Sequence, residues 1–166
     1  MERTPRIFAF AAPSGTGKTT LICALIEHLR AQGHRVGAIK SDAHRVELDR
    51  PGKDTHRMRK AGSEATALVS RDQIAVFRDS PGDETSLEEI VHVFFADMDF
   101  VLAEGFRSHG HPTLVVRRRG IDFEGWTWPG NVVALVSDTP HDALPVFAFD
   151  DVAGIADFLC RHGGPT

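Results

Sequence analysis

Cysteine is scarce in this chain: Cys23 and Cys160 are the only two among 166 residues. A pair this far apart, one inside a helical pattern, supplies neither a disulfide framework nor a cysteine metal cage, and points to a reducing cytoplasm. Long apolar runs are missing too. Nothing approaches the ~20 residues that a membrane-spanning helix needs, and Met1 to Arg6 is too short and polar for a signal peptide, so no membrane association is expected. Net positive charge is absent as well, the formal value being −4. That disfavours a general nucleic-acid binder, although Arg117, Arg118 and Arg119 form a local basic cluster. Repeats and low-complexity tracts do not occur. What remains is a chain with 42% apolar residues, long enough to bury a full core, and the expectation is a single domain over residues 1–166.

The densest signal is the run Ala12, Pro13, Ser14, Gly15, Thr16, Gly17, Lys18, Thr19, Thr20, directly after the apolar stretch Ile7 to Ala11. It follows the pattern G-x-x-x-x-G-K-S/T between a buried strand and a helix, with Ala12 in place of the leading glycine. Gly15 and Gly17 lack Cβ, so the backbone can curl and turn successive N–H groups onto a polyphosphate. The helix beginning near Lys18 adds its partial positive end. Lys18 can bridge terminal phosphates, the Thr19 hydroxyl suits Mg²⁺, and Thr20 suits the α-phosphate. A chance glycine-rich turn would not bring strand, loop and amphipathic helix together with G-K-T-T. Ser14 to Thr20 are therefore the expected nucleotide-binding residues.

The rest of the chain alternates between two periodicities. Leu21, Ile22, Leu25, Ile26 and Leu29 make the stripe of the first helix, which Gly33 ends. Arg35 to Ile39 reads as a strand, and Lys40 to Lys53 as a polar, functional loop. Asp54 is placed to cap a helix reaching about Gly62; Ala65 to Val69 and Gln73 to Phe77 then suggest a hairpin around Arg71 and Asp72. Thr85 caps a further helix whose stripe is Leu87, Ile90, Val91, Phe94 and Phe95. Phe100 to Ala103, Leu114 to Val116 and Val132 to Val136 are unbroken apolar runs, as in strands covered on both faces. Asp150 is placed to cap a last helix carrying Val152, Ile155, Ala156 and Leu159. The pattern predicts a P-loop NTPase three-layer α/β/α sandwich: a mostly parallel sheet, a β-hairpin insertion, and ligands at the carboxyl ends of strands.

A bound triphosphate carries Mg²⁺, which calls for a carboxylate at a strand end. Four apolar residues deliver Glu104 to such an end, and Gly105 lets the chain turn away; the alternative is an acid that merely ends a strand. Asp54, after Pro51, Gly52 and Lys53, is a second metal candidate or only a helix cap. Asp42 and Asp49 lie in the preceding loop and could act through water or simply be solvated. His44, in the same loop, suits either a phosphate contact or a structural role. His109 and His111 flank Gly110 but lack a third metal ligand at recognisable spacing, which favours solvated surface. Beyond the Val132 to Val136 strand, Asp138 could accept hydrogen bonds from guanine N1 and N2, or only form a turn, since no N-K-x-D motif is present.

Taken together, Ile39-Lys40, Asp42, His44, Asp49, Pro51-Gly52-Lys53-Asp54-Thr55, Arg59-Lys60-Ala61-Gly62 and Glu104-Gly105-Phe106 resemble the molybdopterin-guanine dinucleotide biosynthesis protein B family, usually called MobB. The likeness runs from the phosphate loop to about Val116 and weakens beyond it; Ser41 stands where family members commonly have histidine. The resemblance implies a cytoplasmic GTP-binding P-loop protein, often a homodimer, that assists a molybdenum cofactor guanylyltransferase. The chain is also similar in plan to dethiobiotin synthetases, which implies that Thr19, Asp54 and Glu104 hold Mg²⁺ and that Lys18, Asp54 and Glu104 serve any catalysis. No water-positioning glutamine or arginine finger is identifiable, so hydrolysis is expected to be slow. Other functions with the same loop are a small-molecule kinase with an acceptor pocket between Ser41 and Lys53, a metallochaperone GTPase using His109 and His111, and an adaptor that binds nucleotide without turnover.

Overall fold

In the computed structural model, which describes residues 4–41, 49–79, 86–106 and 110–162, Arg6–Ala11 forms strand β1 and Lys18–Ala31 helix α1, followed by strand β2 at Val36–Lys40. Helix α2 (Asp54–Lys60) and strands β3 (Ala65–Val69) and β4 (Ile74–Arg78) come next. Helix α3 (Leu87–Phe94) precedes strands β5 (Phe100–Glu104), β6 (Thr113–Arg117), β7 (Val132–Ser137) and β8 (Val146–Phe147), and helix α4 (Val152–His162) is the last element among the described residues. The residues divide into two compact units, Met1–Ser41 with Leu87–Thr166, and Asp42–Ser86.

The first unit is built on a six-stranded sheet in the order β2-β5-β1-β6-β7-β8, every adjacent pair parallel. Parallel strands require crossovers, and these put helices on both faces. On one face Leu21, Ile22, Leu25 and Leu29 of α1 join Ile155, Ala156 and Leu159 of α4 over Phe8, Phe10, Leu102, Leu114 and Val136. On the other, Leu87 and Val91 of α3 cover Val101 and Ala103. The alternation of Phe8 and Phe10 toward one helix layer and Ile7 toward the other follows from the two-residue period of a strand. Ala12, where the loop pattern has glycine, is 5% exposed and packs into the α1 and α4 side of the core.

Three local expectations need correction. The expected stripe of α3 includes Phe94, but Phe94 is 46% exposed. The covering position is taken by Phe95, one residue past the helix, which seats on β2 where Gly37 offers no side chain. The last helix is capped by Asp151, not Asp150: its Oδ1 accepts from the Gly154 amide at 3.0 Å, the third helical N–H, as an N-cap does. Asp54 is the first helical residue of α2 and Lys53 its N-cap, with no side-chain cap hydrogen bond. The Asp54 carboxylate instead lies 3.7 Å from Arg57 and favourably meets the helix dipole. The sequence pattern does not predict strand β8, which with two residues carries no readable periodicity. Thr85 lies outside the described residues.

The second unit holds α2 and the antiparallel β3–β4 hairpin, in which Ala65 pairs with Arg78 and Val69 with Ile74. Asp49 is not a free loop acid. It is 8% exposed, and its Oδ1 accepts from the Thr55 hydroxyl at 3.0 Å and from the Arg50 amide at 2.9 Å, with Arg59 3.8 Å from Oδ2. It thereby ties the turn before α2 to the helix itself.

A methyl group on Gly37 would come 2.4 Å from Cδ1 of Phe95. Gly37→Ala is expected to destabilise the fold by about 1–3 kcal/mol through overpacking, measured by chemical denaturation, and unchanged stability would show that Phe95 is not seated there.

Candidate functional site

The parallel pairing of β1 with β5 and β6 makes the loop a shared edge. Phe10 stands opposite Glu104 and Ala11 opposite Val115, so the residues that continue β1, β5 and β6 emerge side by side at their carboxyl ends. Gly15 and Gly17 have φ values of +79° and +91°, a conformation that a Cβ disfavours. Gly17 is the N-cap of α1, which has no side-chain cap and no acidic residue in its first turn, leaving its leading amides directed at the loop.

Lys18 folds back across this loop. Its Nζ donates to the carbonyl oxygens of Ala12 at 3.2 Å and Pro13 at 3.0 Å. Thr16 is fully buried, and its hydroxyl donates to the Pro13 carbonyl at 3.2 Å; the side chain braces the loop, while Ser14 and Gly15 are exposed. Thr19 and Thr20 begin α1 with exposed side chains, and the Thr19 hydroxyl donates to Glu104 Oε2 at 2.8 Å. This brings the loop hydroxyl and the strand-end acid together across 85 residues of sequence. Hydroxyl and carboxylate are hard oxygen donors of the kind Mg²⁺ takes, so Thr19 and Glu104 fit such an ion. Gly105 has φ +93°, and a Cβ there would lie 2.7 Å from the Ser41 carbonyl oxygen. Only glycine lets the chain leave Glu104 that closely, while the Ser41 amide donates to the Glu104 carbonyl at 2.8 Å.

Asp138 lies past β7, and both of its carboxylate oxygens accept from the Arg119 amide, at 3.0 and 3.1 Å. The contact joins the ends of β6 and β7 around a recess of about 210 Å³ lined by Arg117, Arg118, Arg119, Gly120, Ile121 and Thr139 besides Asp138. Sequence reasoning saw Arg118 only as part of a basic cluster, yet its guanidinium lies beside Gly17. The register of β6 on β1 is what brings it there, and no local spacing discloses that register. Asp54 stands at the start of α2 in the second unit. Asp42, His44 and His109 lie outside the described residues. His111 Nε2 is 2.9 Å from Glu88 Oε1, an ion pair when the imidazole is protonated. Among the described residues no group of three or more His, Cys, Asp or Glu is gathered for a metal ion, and no helix is long and apolar enough to cross a membrane.

A parallel sheet ordered around β1, a glycine loop leading into an uncapped helix, and a strand-end acid on the loop threonine define the P-loop NTPase-like class of α/β proteins. Within it, residues 7–138 match the family described as molybdopterin guanine dinucleotide synthesis protein B, and the chain belongs to this MobB family. The molybdopterin-guanine dinucleotide biosynthesis adapter protein of Escherichia coli strain K12 is 36% identical over 162 residues, covering 92% of this chain and 90% of its own. The probable adapter protein of Bacillus subtilis strain 168 is 30% identical, over 91% and 90%. A crystal structure of molybdopterin-guanine biosynthesis protein B superposes with a TM-score of 0.77 at 28% identity, covering 94% of this chain and 99% of that one. The likeness thus extends well past Val116, where the motifs thin out.

Proposed function

We propose that this chain is a Mg²⁺-dependent GTP-binding protein with slow hydrolysis, acting as an accessory to a guanylyltransferase that builds molybdopterin guanine dinucleotide. The observation that carries the nucleotide reading is the 2.8 Å contact of Thr19 with Glu104 beside the Lys18 loop, in a chain whose curated relatives are named as adapters of this biosynthesis. In this reading Lys18, the loop amides and the α1 N-terminus offset triphosphate charge. Thr19 and Glu104 would hold Mg²⁺. The ion would neutralise charge on the terminal phosphates. Asp138, in the recess past β7, supports guanine over adenine because a carboxylate accepts from guanine N1–H and N2–H₂ and finds only an acceptor at adenine N1. The role is to hold GTP, or a product, for the partner enzyme.

Competition of GTP against ATP, with and without Mg²⁺, tests base choice and metal together. GTP is expected to win and to weaken without Mg²⁺, and Lys18→Ala should lower triphosphate affinity roughly 100-fold by calorimetry; unchanged affinity would remove Lys18 from the site. Phosphate release by the pure protein should be on the order of 10⁻³ to 10⁻² s⁻¹, and fast unstimulated turnover would argue for an independent enzyme. A homodimer is part of the same proposal. Val69, Ile74 and Val76 share one face of the hairpin, Val69 pairing with Ile74, and are 46–71% exposed, an apolar face of the kind a second copy covers. Sedimentation equilibrium should find dimers at micromolar concentration, and a monomer there would count against this part.

A further inference from the structure

Of the three consecutive arginines at the end of β6, Arg118 is distinguished by the place of its guanidinium. A carbon added to Cα of Gly17 would meet Nη2, Cζ and Nη1 of Arg118 at 3.8, 3.9 and 3.9 Å. Three near-equal distances put Gly17 over the face of the guanidinium rather than at its edge. Phe149 holds the same group, with Cζ 4.2 Å from the ring centroid, a cation–π contact. The guanidinium thus lies beside both the loop and the ring.

Held between loop and ring contacts, this group can act through its N–H edge. A guanidinium edge is a planar fork of donors that fits phosphate oxygens, whereas stacking on a base would need a bare face. The backbone explains the placement. Because Ala11 pairs with Val115, the residues that continue β6 run level with the loop that continues β1. We propose that Arg118 is a second phosphate-binding cation of the loop, donating to a phosphate oxygen of the bound nucleoside triphosphate beside Lys18, with Phe149 as its platform. This rests on the nucleotide reading above and adds a residue to it.

Calorimetric titration of the full chain with Mg²⁺ and three probes, GTP, ATP and inorganic tripolyphosphate, tests the proposal. Arg118→Gln should weaken all three by roughly 10- to 100-fold, and Arg118→Lys, which keeps the charge but not the fork, should recover part of that loss. Wild-type affinity of Arg118→Gln for all three probes would overturn the proposal and leave the nucleotide reading standing. So would a loss confined to GTP and ATP, which would assign Arg118 to base or ribose. A loss that Arg118→Lys does not relieve, accompanied by a lower Tm without ligand, would mark a packing role and overturn it as well. Failure of the wild-type chain to bind any of the three would instead overturn the nucleotide reading, and the proposal with it.

Discussion

The parallel register of β1 against β5 is the constraint on which the site depends. Phe10 stands opposite Glu104, one residue before β1 ends at Ala11, so the acid arrives level with the start of the phosphate loop. A slip of one residue would leave either Phe8 and Phe10 of β1 or Leu102 and Glu104 of β5 turned from the α1 and α4 layer to the α3 layer. Burial forbids it, since both phenylalanines are fully enclosed. The same apolar packing that makes the sheet therefore sets the distance between the loop threonine and the acid. Fold and site share one cause, and neither could drift without the other.

Much of this was legible in the residues because it is local. The G-K-T-T run, the 3.6-residue stripes of α1 and α4 and the unbroken apolar strands state their own conformations. The hairpin was legible for the same reason, Arg71 and Asp72 punctuating two strand-like runs. What local spacing could not carry was pairing between distant segments. Glu104 could be named as a strand-end acid, but its partner Thr19 is fixed only by strand order. Arg118 looked like one charge of three until the register of β6 on β1 brought it to Gly17. The misplaced caps have a smaller cause: Asp150 and Asp151 are adjacent, both suited to capping, and the choice falls to the one whose carboxylate reaches the Gly154 amide.

The segment Asp49 to Thr55, part of the resemblance to the family, also contains a structural device. Its first aspartate is consumed internally by Thr55, Arg50 and Arg59, and so orders the turn that presents the second, Asp54, at the head of α2. Asp54 is 87% exposed on its side chain. The two acids, similar in a sequence, divide into one that builds and one that is offered to solvent, and burial is what separates them.

The back-folded Lys18 has a consequence for affinity. A lysine side chain that waits in solvent surrenders about 1.5–2 kcal/mol of rotamer freedom when it is immobilised. Here the ammonium is already anchored on the carbonyls of Ala12 and Pro13, so that entropy is lost when the chain folds and not when an anion arrives. The loop is preorganised: its cation is set in place by its own backbone, and association draws less on the favourable charge contact than it would with a mobile side chain.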